Sequence, residues 1–325
     1  MTNAQYKPKV WVLITKKRNP NVASMKEDVA MTYGSGDYRY QVDKDWGKLP
    51  DGYEFNQVAG VAVDKEDNVY LYNRSDHQVM VFNKSGDFVK SWDVKFSNPH
   101  GMHIGPDGNF YFADRDAHVV LKYSPDETLL LTLGTYDVPS NTGYGGDLMV
   151  VPHPAGPFNL PTGVVVSEDG NIFVSDGYGN CRFHKFSPDG ALLDTWGEAG
   201  KDNPMDFHLP HGIGINKDGL LAICDRENHR IQFTDQDGEF MFIWDGFLQP
   251  TDITFGVDGE AYVSELQHRI SILDSEGNLI SRWADESSSA SGHFIAPHGI
   301  AVDSSGDIYV GEVLEGRRIQ KFIRQ

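Results

Sequence analysis

The 325-residue sequence contains no run of about 18 or more apolar residues, so no membrane-spanning helix is expected. Cysteine is scarce. Cys181 and Cys224 are the only two, and they form no CxxC pair. That excludes a disulfide framework and fits a reducing compartment. No stretch requires an amphipathic helix of any length. The opening residues Met1-Thr2-Asn3-Ala4-Gln5-Tyr6-Lys7 lack the apolar core of a secretory signal, and with the initial methionine they point to a cytoplasmic protein. Positive charge is in the minority: 28 Lys and Arg stand against 47 Asp and Glu, a formal charge of −19. Such a surface repels phosphate backbones and anionic lipids, so neither nucleic acid nor a membrane is an expected partner. An anionic substrate would need arginines of its own.

What is present is a repeat. Six segments share an apolar-Pro-(His/Thr)-Gly-apolar phrase, then Asp-Gly, an apolar strand, an acidic residue and an apolar-basic strand. They begin at Val58, Pro99, Pro161, Pro210, Pro250 and Pro297. A period of about 40 to 60 residues is that of a propeller blade. The fourth copy shows the four strands: Gly212–Asn216, Leu220–Cys224, Arg230–Thr234 and Glu239–Trp244, with turns at Lys217-Asp218-Gly219 and Asp237-Gly238. The expected fold is all-β, a six-bladed β-propeller. The sixth copy stops after its third strand, and Tyr38–Val42 resembles a fourth strand. An N-terminal strand should therefore complete the last blade and close the ring. This divides the chain into an extension, 1–36, and the propeller, 37–325. Val10–Ile14 reads as strand-like but has no place in the repeat. Residues 134–157 form a long Gly/Pro-rich insertion.

Equivalent positions of successive blades lie on a ring around the central channel. The residue opening each innermost strand is Ala59, His100, Thr162, His211, Thr251 and His298 in turn. Histidine recurs on alternate blades, a third of a turn apart around one axis. Three imidazoles converging on one point form a metal site with open positions. A single histidine in such a phrase is more simply a turn residue satisfied by backbone; three-fold placement is harder to explain that way. A second ring, after the second strands, holds Asn73-Arg74, Asp114-Arg115, Asp176-Gly177-Tyr178, Asp225-Arg226, Glu265 and Glu312. Its carboxylates suit backbone N–H groups in turns. Its arginines suit a carboxylate ligand, and a tyrosine near cations suits proton transfer. Gly177 and Gly179 bracket Tyr178, which would let the backbone turn tightly there. His77, His118, His229 and His268 recur before the third strands and read as structural.

The phrases Asn228-His229-Arg230-Ile231 and Pro-His-Gly-apolar resemble those of NHL-repeat propellers. Val174–Tyr178, Phe186-Ser187-Pro188, Trp196-Gly197-Glu198 and Cys224–Asn228 resemble, more specifically, the peptidyl-α-hydroxyglycine α-amidating lyase family, over about Phe55 to Phe322. The resemblance implies a catalytic zinc held by His100, His211 and His298, a catalytic tyrosine at Tyr178, and active-site arginines at Arg74 and Arg226. It also implies a structural calcium on backbone carbonyls near Val61 and Met102 and an acidic residue after the last histidine. Gly299 stands at that last place, which leaves calcium open. Ala296 replaces a methionine of the family, and Cys181 and Cys224 do not match its disulfide cysteines.

The expected function is that of a metal-dependent carbon–nitrogen lyase. Its substrate would be a small anionic carbinolamide, of α-hydroxyglycine or ureidoglycolate type. The metal would be zinc, with iron also suited to imidazole. Hydrolysis at the same three-histidine site, and a non-catalytic NHL scaffold, are the alternatives.

Overall fold

The computed structural model describes residues 31–325; the strand expected at Val10–Ile14 lies outside them. Among the described residues the architecture is all-β apart from one 3₁₀ turn, Arg226–Asn228. No helix among these residues is long and apolar enough to cross a membrane. Five four-stranded antiparallel sheets and one five-stranded sheet form six blades, with a separate two-stranded pairing of Glu198–Ala199 and Asp206–Phe207.

Blade four shows why the repeat folds this way. Leu221–Asp225 is buried along its whole length. It pairs with Pro210–Ile215 on one side and Arg230–Thr234 on the other. The outer strand, Phe240–Trp244, has only its last residue buried. Gly219 takes φ of +79° in the turn between the first two strands, a conformation that costs glycine little. The core lies in wedges between blades. Tyr72 and Val79 of blade one pack with Phe110, Phe112 and Leu121 of blade two. This packing fixes each blade against the next, and so fixes the ring of strand openings around the axis.

Tyr38–Asp43 lies antiparallel to Ile319–Arg324, with Val42 opposite Phe322, so an N-terminal strand completes the last blade. Thr32–Ser35 then adds a fifth strand outside it, beyond the repeat count. The reason is aromatic. Tyr33 and Tyr40 are both buried against Trp283 of blade five, and Tyr33 also meets Phe322 edge-on. A lone outer strand cannot be read from a four-strand repeat, because it has no counterpart in the other blades.

Candidate functional site

All six innermost strands open with the same irregularity. In blade two Pro99 pairs with Asp114, but Met102 pairs with Phe112, so one residue is extra. Blades four and six repeat this at Pro210/Ile213 and Pro297/Ile300. The odd blades slip by one residue at Val58/Gly60, Pro161/Gly163 and Pro250/Asp252. A bulge breaks strand alternation and re-aims a side chain. The six ring positions sit in these bulges. Glycine follows in five of them because neighbouring innermost strands approach closely. A Cβ on Gly101 would lie 2.5 Å from the carbonyl of Thr162, and one on Gly212 would lie 2.6 Å from that of Thr251.

The bulges bring His100, His211 and His298 together. Their ring centroids are 4.7, 4.7 and 4.8 Å apart, a nearly equilateral triangle. Each Nδ1 lies on the carbonyl of the ring residue of the following blade: Thr162 at 2.7 Å, Thr251 at 2.6 Å and Ala59 at 2.7 Å. The odd blades thus supply the acceptors for the histidines of the even blades. A carbonyl accepts only from an N–H, so each Nδ1 carries the proton and each Nε2 keeps its lone pair. Burial, followed by the neighbouring histidines and arginines, holds His100 and His211 well below their usual range. His298 is driven down to about 3, by burial first. The imidazoles are therefore neutral at physiological pH.

One donor atom from each histidine lies within 4.8 Å of the other two, and among the described residues they form the one such cluster. Nε2 of His211 is buried with no hydrogen-bond partner. An orphaned acceptor among three oriented, neutral imidazoles fits a divalent metal, with the backbone carbonyls fixing the tautomer.

The histidines also line a channel of about 250 Å³ along the propeller axis. Val61 and Met102 line it too. The carboxylate there comes from Asp252, in the place that is glycine on the other five blades, rather than from the position of Gly299. Burial pushes the Asp252 carboxyl up to about 7, against partial relief from the N–H groups of Ile300 and Ile253. The folded group keeps its proton to about pH 7 and the unfolded one only to about 3.8. Ionising it therefore costs the fold stability as pH rises through that window. Asp252→Asn should remove this cost. With chelator present, its melting temperature should gain on that of the wild type between pH 4 and pH 7. Parallel pH profiles for the two proteins would contradict it.

Above the histidines lies the second ring. Its acidic and amide members are structural. Asn73, Asp114, Asp176, Asp225, Glu265 and Glu312 each accept a backbone N–H from the segment entering their own blade. The third histidine set is structural as well. Nδ1 of His118 accepts from the Leu160 N–H and that of His229 from the Gln249 N–H; His268 contacts the Ile295 carbonyl, and His77 stacks on Tyr53.

Tyr178 is half-buried over the histidine triangle, with its hydroxyl 3.4 Å from Nε2 of His100. Nη1 of Arg226 donates to that hydroxyl at 3.2 Å. Burial alone would raise the phenol pKa. Arg226, Arg115 and Arg74 outweigh it and hold the group below its usual value. The glycines beside Tyr178 are needed for space rather than for an unusual turn, since neither has positive φ. A Cβ on Gly177 would strike the Pro210 carbonyl at 1.9 Å, and one on Gly179 the Asn159 side chain at 2.2 Å. Arg74 donates from Nε to the Pro99 carbonyl and from Nη1 to Oε1 of Gln57.

Two features escaped the residue pattern. Arg115, a ring member without an assigned role, places its guanidinium 5.0 Å from the centre of the Tyr178 ring. The signal was its place in the second ring beside Asp114. The insertion is the other. Thr142 donates to the Gly179 carbonyl, and Asn159 donates to Thr142, so the inserted loop braces the Tyr178 turn. Nothing in its composition marks that role.

The NHL repeat family matches residues 158–186, 207–232 and 294–322. The chain is 30% identical over 321 residues to peptidyl-glycine alpha-amidating monooxygenase B of Xenopus laevis, covering 85% of this chain and 35% of that protein. It therefore spans about a third of the length of that relative. It is 29% identical over 316 residues to NHL repeat-containing protein 3 of Homo sapiens, covering 87% and 84% of the two chains. A probable peptidyl-alpha-hydroxyglycine alpha-amidating lyase of Caenorhabditis elegans is 30% identical over 206 residues, 55% of each. Among solved structures, a streptogramin B lyase superposes with a TM-score of 0.59 at 16% identity, over 89% of this chain and 87% of that one, and supports the propeller fold alone.

Proposed function

We propose that this NHL-repeat propeller, similar to proteins named as α-amidating lyases, is itself a carbon–nitrogen lyase. Its substrate would be a carbinolamide, an N–CH(OH) carbon bearing a carboxylate. The observation that carries the reading is Tyr178, held by Arg226 and within 3.4 Å of one histidine of a metal-ready triangle. His100, His211 and His298 would hold the ion, zinc or iron, through Nε2. When bound, it would supply a Lewis acid that polarises a substrate oxygen.

The chain's own groups account for the remaining steps. The arginines bind the carboxylate and set the reacting carbon beside Tyr178. The phenol, acidified by its guanidinium neighbours, acts in its phenolate form as the base for the hydroxyl proton. As that proton leaves, the oxygen forms a carbonyl and the C–N bond pair passes to nitrogen, which takes up a proton. The products are an amide, or a urea, and an oxo acid such as glyoxylate. No oxidant or water is consumed. Both cysteines are free and buried, which suits a reducing compartment.

Calcium at Val61 and Met102 would have Asp252 as its nearest channel carboxylate and plays no part in these steps. The human relative with a purely structural name, matched over 84% of its length, favours a non-catalytic scaffold as the second reading. The test is metal analysis of the purified protein, with turnover of N-acyl-α-hydroxyglycines and ureidoglycolate. Stoichiometric metal and glyoxylate release support the lyase. Release of ammonia in place of the intact amide or urea would move the chemistry to hydrolysis. A metal-free protein inert on both substrates would leave the scaffold.

A further inference from the structure

We infer that Arg115 is the principal receptor of the substrate carboxylate, while Arg226 is committed to Tyr178. The inference rests on the carbinolamide reading above and comes from counting guanidinium donors. Arg226 is buried, and Glu227 takes both its Nε–H and an Nη2–H. Its Nη1 serves the Tyr178 hydroxyl. Each of its three nitrogens has a partner before any ligand arrives, and three of its five N–H groups are spent. Arg74 spends Nε on the Pro99 carbonyl and Nη1 on Gln57. Arg115 differs: its Nε donates to Oδ1 of Asp116, and its one further hydrogen bond, to Tyr178, still leaves N–H groups on both terminal nitrogens for a ligand.

Arg115 is also braced and reachable. Asp116, its partner, accepts from Nδ2 of Asn98 at 2.8 Å, so the guanidinium plane is held from behind. Its side chain is 25% exposed, against 5% for Arg226. It lies against the Tyr178 ring, so its charge faces the same space as the phenol. Two parallel N–H groups on one plane are the donor pattern a carboxylate takes up. In an α-hydroxyglycine the carboxylate and the hydroxyl share one carbon. A carboxylate clamped at Arg115 therefore delivers the hydroxyl toward Tyr178 and the histidines. In a protein of net charge −19, this local fork is also what draws an anion to the mouth.

The experiment is calorimetric titration of the metal-replete protein with N-acetylglycine, which lacks the reacting hydroxyl, and with its neutral methyl ester. Kinetics on N-acetyl-α-hydroxyglycine run in parallel, for the wild type, Arg115→Gln and Arg115→Lys. Metal content and circular dichroism confirm that each variant is folded. Arg115→Gln should weaken the acid roughly ten- to a hundredfold and leave the ester unchanged. KM should rise by a similar factor, with kcat, compared on the plateau above the phenol limb, within about threefold. Arg115→Lys, which keeps the charge but not the fork, should fall between. Undiminished acid binding in Arg115→Gln overturns the inference. So does equal weakening of acid and ester, or a wild type that binds the acid no better than the ester. A fall in kcat with acid binding intact would reassign Arg115 to positioning Tyr178. Arg115-dependent acid binding without any glyoxylate release would sink the lyase reading and leave the receptor standing.

Discussion

On the proposed lyase reading, His211→Ala protein should purify without metal and without activity. Nε2 of His211 is buried without a hydrogen-bond partner, and its removal leaves two imidazoles with a gap between them. Affinity for the ion should drop by more than about a hundredfold, a larger loss than removing an outer-shell partner causes. Turnover should fall by roughly 10³-fold or more, since no remaining group polarises the substrate oxygen. The fold should survive, because the propeller wedges are apolar and His211 is not part of them. Elemental analysis beside a melting curve makes the check. A folded variant with full metal content and normal turnover would show that the ion is held elsewhere.

Tyr178→Phe separates the base from the metal. The phenylalanine keeps the ring between Arg115 and Arg226 and removes only the hydroxyl. Turnover should drop by roughly 10²–10⁴-fold if the phenol is the general base, with metal content unchanged. The pH profile gives a second readout. Rate should rise with pH as the phenol ionises, with a midpoint below the usual tyrosine value because the arginines favour the charged form. Arg226→Gln removes the largest of those three influences, so the limb should move to higher pH. Near-normal turnover in a metal-replete Tyr178→Phe protein would take the residue out of the mechanism, and an unmoved limb in Arg226→Gln would deny the arginine its electrostatic part.

Much of this was legible because a repeat makes its own comparison. Histidine at three of six equivalent positions stands out against alanine and threonine at the others, with no second sequence needed. The ring closure could be read for the same reason, as one strand was missing at one end and spare at the other. What could not be read is what the repeat does not contain. Thr162 and Thr251 lend their backbone carbonyls to His100 and His211. A backbone acceptor leaves no trace in residue identity. The bulges were hidden too, since one extra residue in a pairing changes register and not composition. Asp252 departs from glycine at a repeat position and was visible as such; its raised pKa came only with the enclosed channel. Arg115 was visible on its ring, but its donors could be counted only once Glu227 and Gln57 were seen to occupy those of its neighbours.

The route by which the ring closes also sets when its centre can exist. His298, the last of the three ligands, is oriented by the carbonyl of Ala59 in the first blade. That contact requires the sixth blade to lie beside the first, in the ring that the strand at Tyr38–Asp43 closes. During synthesis a chain of five blades would present two histidines and an open edge. The histidine triangle is thus complete only in the closed ring, because its third member draws on the first blade. Ion capture in a nascent or truncated chain would report whether the circle is complete.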